Sequence, residues 1–224
     1  MTTISQDLYQ TERIINETKA VAFDFDGVIA DTEHLHALAY QKLLESYNVS
    51  FDPGDFGKYI GKNEYEIHSE MEHDFGIKID HEAAIERRLE LFLELAADGV
   101  IAPYPITLPL LNLIAAKRHP AYIVSSQRPS LISELLSRWS LAPYFAKTFT
   151  AYDTTPPRRK VDVLSQFTAL TGFEASEVVY FEDALEPLKF AQNLGMRTVA
   201  VIHSLNTSAG LIADYVIDTT KKQG

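Results

Sequence analysis

Residues Ala22–Asp31 read AFDFDGVIAD, and this stretch decides the fold. An apolar run, KAVAFDF from Lys19 to Phe25, reads as a buried strand, and two aspartates stand at its end. Asp24 and Asp26 are two residues apart, so on an extended strand their side chains point the same way. Acids rarely end a buried strand unless something compensates them. A metal ion together with a phosphate would do so.

Working outward, strand-like and helix-like segments alternate from about Pro120. AYIVSS (Ala121–Ser126), AKTFTA (Ala146–Ala151), EVVYFED (Glu177–Asp183), RTVAVI (Arg197–Ile202) and YVI (Tyr215–Ile217) have strand character. PSLISELLSRW (Pro129–Trp139), KVDVLSQFTALTG (Lys160–Gly172) and EPLKFAQNLG (Glu186–Gly195) have helix character. That alternation implies parallel βαβ units: an α/β fold with a Rossmann-like parallel sheet and helices on both faces.

Residues 32–100 break the pattern. His34–Tyr47, Asn63–Phe75 and His81–Ala96 carry helical periodicity, separated by turn signals at Asp52–Asp55 and Gly61–Lys62, with almost no strand signal. Leu108–His119 reads as a core helix. The expected organisation is a core of 1–31 and 101–224 with an α-helical cap of 32–100 inserted after the first strand. The first 18 residues are either a helix on the core or partly disordered.

Bulk properties narrow the function. The chain has 224 residues, 46% of them hydrophobic, with no cysteine and a net charge of −11. Disulfides, thiolate catalysis and cysteine zinc sites are excluded. The acidic balance argues against nucleic acid or an anionic membrane as a partner. No signal peptide and no apolar run of about 20 residues is visible, so a cytoplasmic protein is expected.

In parallel α/β sheets, ligands bind beyond the carboxyl ends of the strands. Asp24 and Asp26, Ser125 and Ser126, and Glu182 and Asp183 all stand at such ends, with Arg158, Arg159 and Lys160 at a helix start nearby. Carboxylates, a hydroxyl and a cation at one sheet edge suit Mg²⁺ and a phosphoryl group. The seven histidines show no metal-ligand spacing, and His203 looks isolated. Asp31, in DTEH, is the expected N-cap of the first cap helix.

These segments resemble four ordered motifs of the haloacid dehalogenase superfamily: DFDGVIADTE (Asp24–Glu33), IVSS (Ile123–Ser126), the basic segment 158–160, and FEDALEPLKFAQNLGM (Phe181–Met196). The helical insert is similar to the cap of the branch containing β-phosphoglucomutase and sugar-phosphate phosphatases. The resemblance implies Asp24 as nucleophile and Asp26 as general acid/base. It implies phosphate binding by the Ser125 hydroxyl and the Ser126 backbone N–H. It also implies Mg²⁺ held by Asp24, the Asp26 carbonyl and Asp183, with Glu182 as a further ligand. The third-motif cation is Arg158 by gapless counting from Asp183, or Lys160 with a two-residue deletion. Lys160, on a helix's first turn, fits a compact charge between nucleophile and phosphate better. Asp26 points to phosphoryl transfer rather than dehalogenation, and Ala184 replaces the serine usual after the acidic pair.

In the cap, Gly61 and Lys62 are expected to face the substrate, and His36 the leaving group. Mutases of this branch carry Lys and Arg where this chain has Ile60 and Glu64, which counts against a phosphomutase. The expectation is a Mg²⁺-dependent phosphatase of a sugar or sugar-acid phosphate, working through an aspartyl-phosphate and existing as a monomer or weak dimer. The alternatives are a β-phosphoglucomutase-like phosphomutase and a catalytically degenerate binding or regulatory module.

Overall fold

A computed structural model describes residues 3–98, 101–154, 156–206 and 212–220. The expected end of the insert, at residue 100, lies outside these. β1 (Ala20–Phe23) is buried along its whole length. Its alternate residues serve two cores: Val21 and Phe23 join one cluster, Ala20 and Ala22 the other. This is the continuous apolar signature of a parallel strand covered on both faces.

The other strands are β2 (Ala121–Ser125), β3 (Phe145–Thr150), β4 (Val178–Glu182), β5 (Arg197–Ile202) and β6 (Tyr215–Asp218). All five pairings are parallel, in the order β3-β2-β1-β4-β5-β6. The chain winds outward from β1 in both directions, so β1 marks the switch point where such sheets bind ligands. Among the helices, α1 (Thr3–Asn16), α5 (Thr107–Ala116) and α6 (Pro129–Arg138) supply the Val21/Phe23 cluster. α7 (Lys160–Thr171) and α8 (Leu185–Leu194) supply the Ala20/Ala22 cluster. The N-terminal segment is thus a helix packed on the core through Ile14 and Ile15.

Between β1 and α5 lie α2 (Glu33–Glu45), α3 (Glu64–Phe75) and α4 (His81–Asp98), with no strand among the described residues. A 3₁₀ helix at Pro53–Tyr59 replaces the simple turn expected at Asp52–Asp55. Asp52 caps it by accepting a bond from the Gly54 N–H at 2.8 Å. No described helix is long and apolar enough to cross a membrane.

Two expectations about the first motif need correction. β1 stops at Phe23, not Phe25, because the chain turns: the Phe25 carbonyl accepts from Ile29 N–H (2.9 Å) and the Gly27 N–H donates to Ala30 (3.0 Å). Asp26 therefore sits in the turn rather than on the strand. Asp31 does not cap α2. Thr32 holds the cap position without a side-chain cap bond, and its hydroxyl donates to Asp26 instead.

Inside the insert, His68 is fully buried beside Tyr40 and His81, and neither ring nitrogen has a hydrogen-bond partner. Burial pushes its pKa down to about 4. A folded state that resists protonation loses stability as pH falls from about 6.5 toward 4, where the unfolded chain takes up the proton. The loss is on the order of 3 kcal/mol. Thermal unfolding at pH 7 and 4.5 should show a larger drop in Tm for the wild type than for His68→Phe.

Candidate active site

The turn after β1 carries Asp24 and Asp26 to the carboxyl end of the sheet, where β2 delivers Ser125 and β4 delivers Glu182 and Asp183. Lys160, the first residue of α7, reaches the same point. Its Nζ lies 2.6 Å from Asp24 Oδ2 and 3.1–3.2 Å from both Glu182 oxygens, and it is 3% exposed. Arg158 is directed elsewhere, donating to Gln166 at 2.6 Å. Lys160 is thus the cation beside Asp24.

Glu182 is fully committed. One oxygen also accepts from the Asp183 and Ala184 N–H groups, at 3.2 and 3.0 Å, and the other from the Tyr180 hydroxyl. Its geometry is that of a residue that holds Lys160. Asp24 and Asp183 differ: each keeps one buried oxygen, Oδ1, without a partner. Atoms of Asp24, Glu182 and Asp183 that could ligate a metal lie within 4.8 Å of one another.

The charge balance points the same way. Burial, reinforced by Glu182 and opposed by Lys160, pushes the Asp24 carboxyl well above its usual range. Burial also raises Glu182, to about 7, against the pull of Lys160. Glu33, 6% exposed, is pushed up by burial and by Asp183, Asp26 and Asp24. One lysine does not balance five carboxylates. Hard oxygen donors, excess negative charge and two orphaned oxygens are the conditions a divalent cation such as Mg²⁺ satisfies.

Asp26 has a different environment. Its Oδ1 accepts from Thr32 (2.6 Å) and lies 3.0 Å from His36 Nε2, while Oδ2 has, among the described residues, only Gln127, at 3.5 Å. Burial opposes ionisation, but His36, Thr32 and Lys160 together hold the carboxyl below the usual range. The other ring nitrogen of His36 lies 2.9 Å from Arg88. A guanidinium only donates, so His36 Nδ1 accepts and Nε2 carries the proton toward Asp26.

A cavity of about 50 Å³ joins these groups to the insert. Ser125, Ser126, Gly61, Lys62 and His36 all line it. The Ser125 hydroxyl accepts from the Gln127 N–H at 3.0 Å, and the Ser126 hydroxyl donates to the Gly61 carbonyl at 3.0 Å. Lys62 is bound by Glu70 at 2.6–2.7 Å.

Glu64 forms a buried knot that sequence reasoning missed. It pairs with Arg88 of α4, with Arg128 at 3.1 Å and with the Tyr152 hydroxyl at 2.6 Å. Despite burial, Arg88 and these partners pull its pKa down to about 2. Arg128 and Tyr152 belong to the sheet-bearing part of the chain, so the knot ties the insert to the sheet. Asn63 adds a bond to the Arg158 carbonyl at 3.3 Å, and Arg159 a 3.2 Å contact with Glu66. Gly61 (φ +83°) makes a close approach between insert and sheet: a Cβ there would lie 2.7 Å from that of Ala184.

Gly27 is equally constrained. Its φ is +69°, and a Cβ would fall 2.5 Å from Asp183 Oδ2 and 2.8 Å from His203 Nε2. Gly27→Ala should displace Asp183. The expected result is a loss of divalent-cation binding of tenfold or more, read by calorimetry.

Sheet, insert and acidic edge together define a hydrolase class. The sequence profile of haloacid dehalogenase-like hydrolases matches residues 21–201, and the chain belongs to that family. It is 25% identical over 210 residues to a phosphorylated carbohydrates phosphatase of Thermotoga maritima, covering 92% of this chain and 95% of that protein. It is 24% identical to a fructose-1-phosphate phosphatase of Escherichia coli, covering 80% and 94%. The β-phosphoglucomutase structure from Clostridium difficile superposes with a TM-score of 0.74 at 18% identity, over 91% of this chain and 92% of that one. That last likeness speaks to the fold alone.

Proposed function

We propose that this chain is a Mg²⁺-dependent phosphatase of small phosphorylated metabolites, sugar-like in their leaving group, acting through an aspartyl-phosphate on Asp24. The carrying observation is Asp24 itself, buried, with one oxygen on Lys160 and the other without a partner. Its relatives of nearly equal length include phosphatases of phosphorylated sugars.

In this reading Asp24 attacks phosphorus and the bond to the leaving oxygen breaks. Asp26 gives that oxygen a proton. Its Oδ1 is anchored by Thr32 and His36, which leaves Oδ2 as the oxygen that carries the proton. A phosphoryl dianion nearby raises the proton affinity of Asp26, as the acid half of the role needs. Asp26 then takes a proton from water, which attacks phosphorus, releases inorganic phosphate and regenerates Asp24. Ser125 and Lys160 hold phosphoryl oxygens. Asp24, Asp183 and the Asp26 carbonyl would hold Mg²⁺, which would supply charge neutralisation at the phosphoryl group.

Residues 32–100 act as the cap. A cavity of 50 Å³ is far smaller than the ~300 Å³ at which ligand sites begin. Substrate entry thus requires the insert to lift, breaking the Glu64, Asn63 and Ser126 contacts, and closure excludes water. The lining polar groups, His36, Gln127, Glu64 and Arg88, suit hydroxyls better than a second phosphate. Lys62, Arg88 and Arg128 are each already paired with a carboxylate, which disfavours the phosphomutase reading.

The test is phosphate release from a panel of sugar phosphates with and without Mg²⁺. Release that stops with chelator is expected. Isomerised sugar phosphate with a bisphosphate requirement would favour the mutase. No release from any ester, with Mg²⁺ bound, would favour a degenerate module.

A further inference from the structure

We infer that His203 is a positioning residue of the metal site, fixing Asp183 so that a single oxygen is offered to the cation. The inference rests on the Mg²⁺ reading above. His203 directly follows β5 and is 2% exposed. Its Nε2 lies 2.8 Å from Asp183 Oδ2, and its Nδ1 is 3.3 Å from the Leu205 backbone nitrogen. A backbone N–H only donates, so Nδ1 accepts and the proton sits on Nε2, aimed at Asp183. The tautomer is set by the main chain.

Two features give this bond its consequence. Asp183 Oδ1 is buried and has no partner. With Oδ2 tied to His203, the carboxylate cannot rotate without losing its one side-chain donor among the described residues. Gly27 closes over the same pair: only a residue without Cβ leaves room beside Asp183 Oδ2 and His203 Nε2. The bond to Oδ2 orients Asp183 and leaves the buried Oδ1, which has no partner among the described residues, as the oxygen offered to a cation. Outer partners that orient metal ligands change affinity by about 10–100-fold when removed.

The experiment measures Mg²⁺ binding by calorimetry in the full chain, comparing wild type with His203→Gln and His203→Phe. Glutamine places an amide N–H near the Nε2 position; phenylalanine fills the space without a donor. The expectation is Mg²⁺ affinity about 10–100-fold weaker for His203→Phe and largely restored in His203→Gln. The metal-free variants should have circular dichroism like that of wild type. A His203→Phe protein that is folded and binds Mg²⁺ as tightly as wild type overturns the inference. Wild type that binds no divalent cation overturns the metal reading, and this inference with it. If His203→Phe does not fold, ¹⁵N-histidine NMR of the wild type decides. A proton on Nε2 of His203, with its shift moving when Mg²⁺ is added, supports the assignment; a proton on Nδ1 overturns it.

Discussion

Asp24→Asn is expected to lower phosphate-ester turnover by roughly 10⁴-fold or more while leaving the protein folded. The amide is isosteric with the carboxylate, so packing around β1 survives. It is not a nucleophile, however, and one amide position now bears hydrogens where a metal or Lys160 requires an acceptor. The effect is on the chemical step as well as on metal affinity, so excess Mg²⁺ should not rescue it. Stopped-flow or steady-state phosphate release at saturating Mg²⁺ checks this. Near wild-type turnover would remove Asp24 from the mechanism.

Lys160→Met is expected to have the largest effect on stability. Among the described residues, Lys160 is the one cation in contact with both Asp24 and Glu182, which are 3% and 0% exposed. Removing one member of a buried ionic cluster leaves charges without a partner and costs about 3–5 kcal/mol. In a chain of this size that is a Tm reduction of roughly 6–20 °C. The sign at low pH follows from the raised Glu182, whose pKa is about 7 even with the lysine present. Without Lys160, protonation of the carboxylates relieves the repulsion, so the deficit should shrink as pH falls from 8 to 6. Calorimetric scans across that window check both magnitude and direction. An equal Tm for the two proteins at pH 8 would mean the cluster contributes nothing net.

Much of the sheet was legible because burial on both faces leaves little choice of residue. RTVAVI reads as a strand and is one, Arg197–Ile202, and the alternating βα segments imply the parallel pairing found, though not the strand order. Boundaries were less legible where turns compete with strands, as after Phe23. The 3₁₀ helix at Pro53–Tyr59 was missed because it lacks the 3.6-residue period and begins with turn residues.

At the site, strand ends revealed Asp24, Asp26, Ser125, Glu182 and Asp183. His203 stands at the end of β5 and was open to the same reasoning, but a single histidine carries no spacing signal. Arg88 had a partial signal: it follows Ile85 by three and precedes Phe92 by four, on the buried face of α4. Its pairing with Glu64, 24 residues away, had none. The choice between Arg158 and Lys160 needed the start of α7, because a two-residue shift decides which cation faces Asp24.

The aspartyl-phosphate is the central claim, and it can be trapped directly. Borohydride reduction of the wild-type protein during turnover converts an acyl phosphate to an alcohol, so residue 24 should appear as homoserine in peptide mass spectra. Homoserine at position 24, dependent on substrate and Mg²⁺, is the predicted result. Sustained phosphate release with position 24 unmodified, or with the label on another carboxylate, would contradict the account.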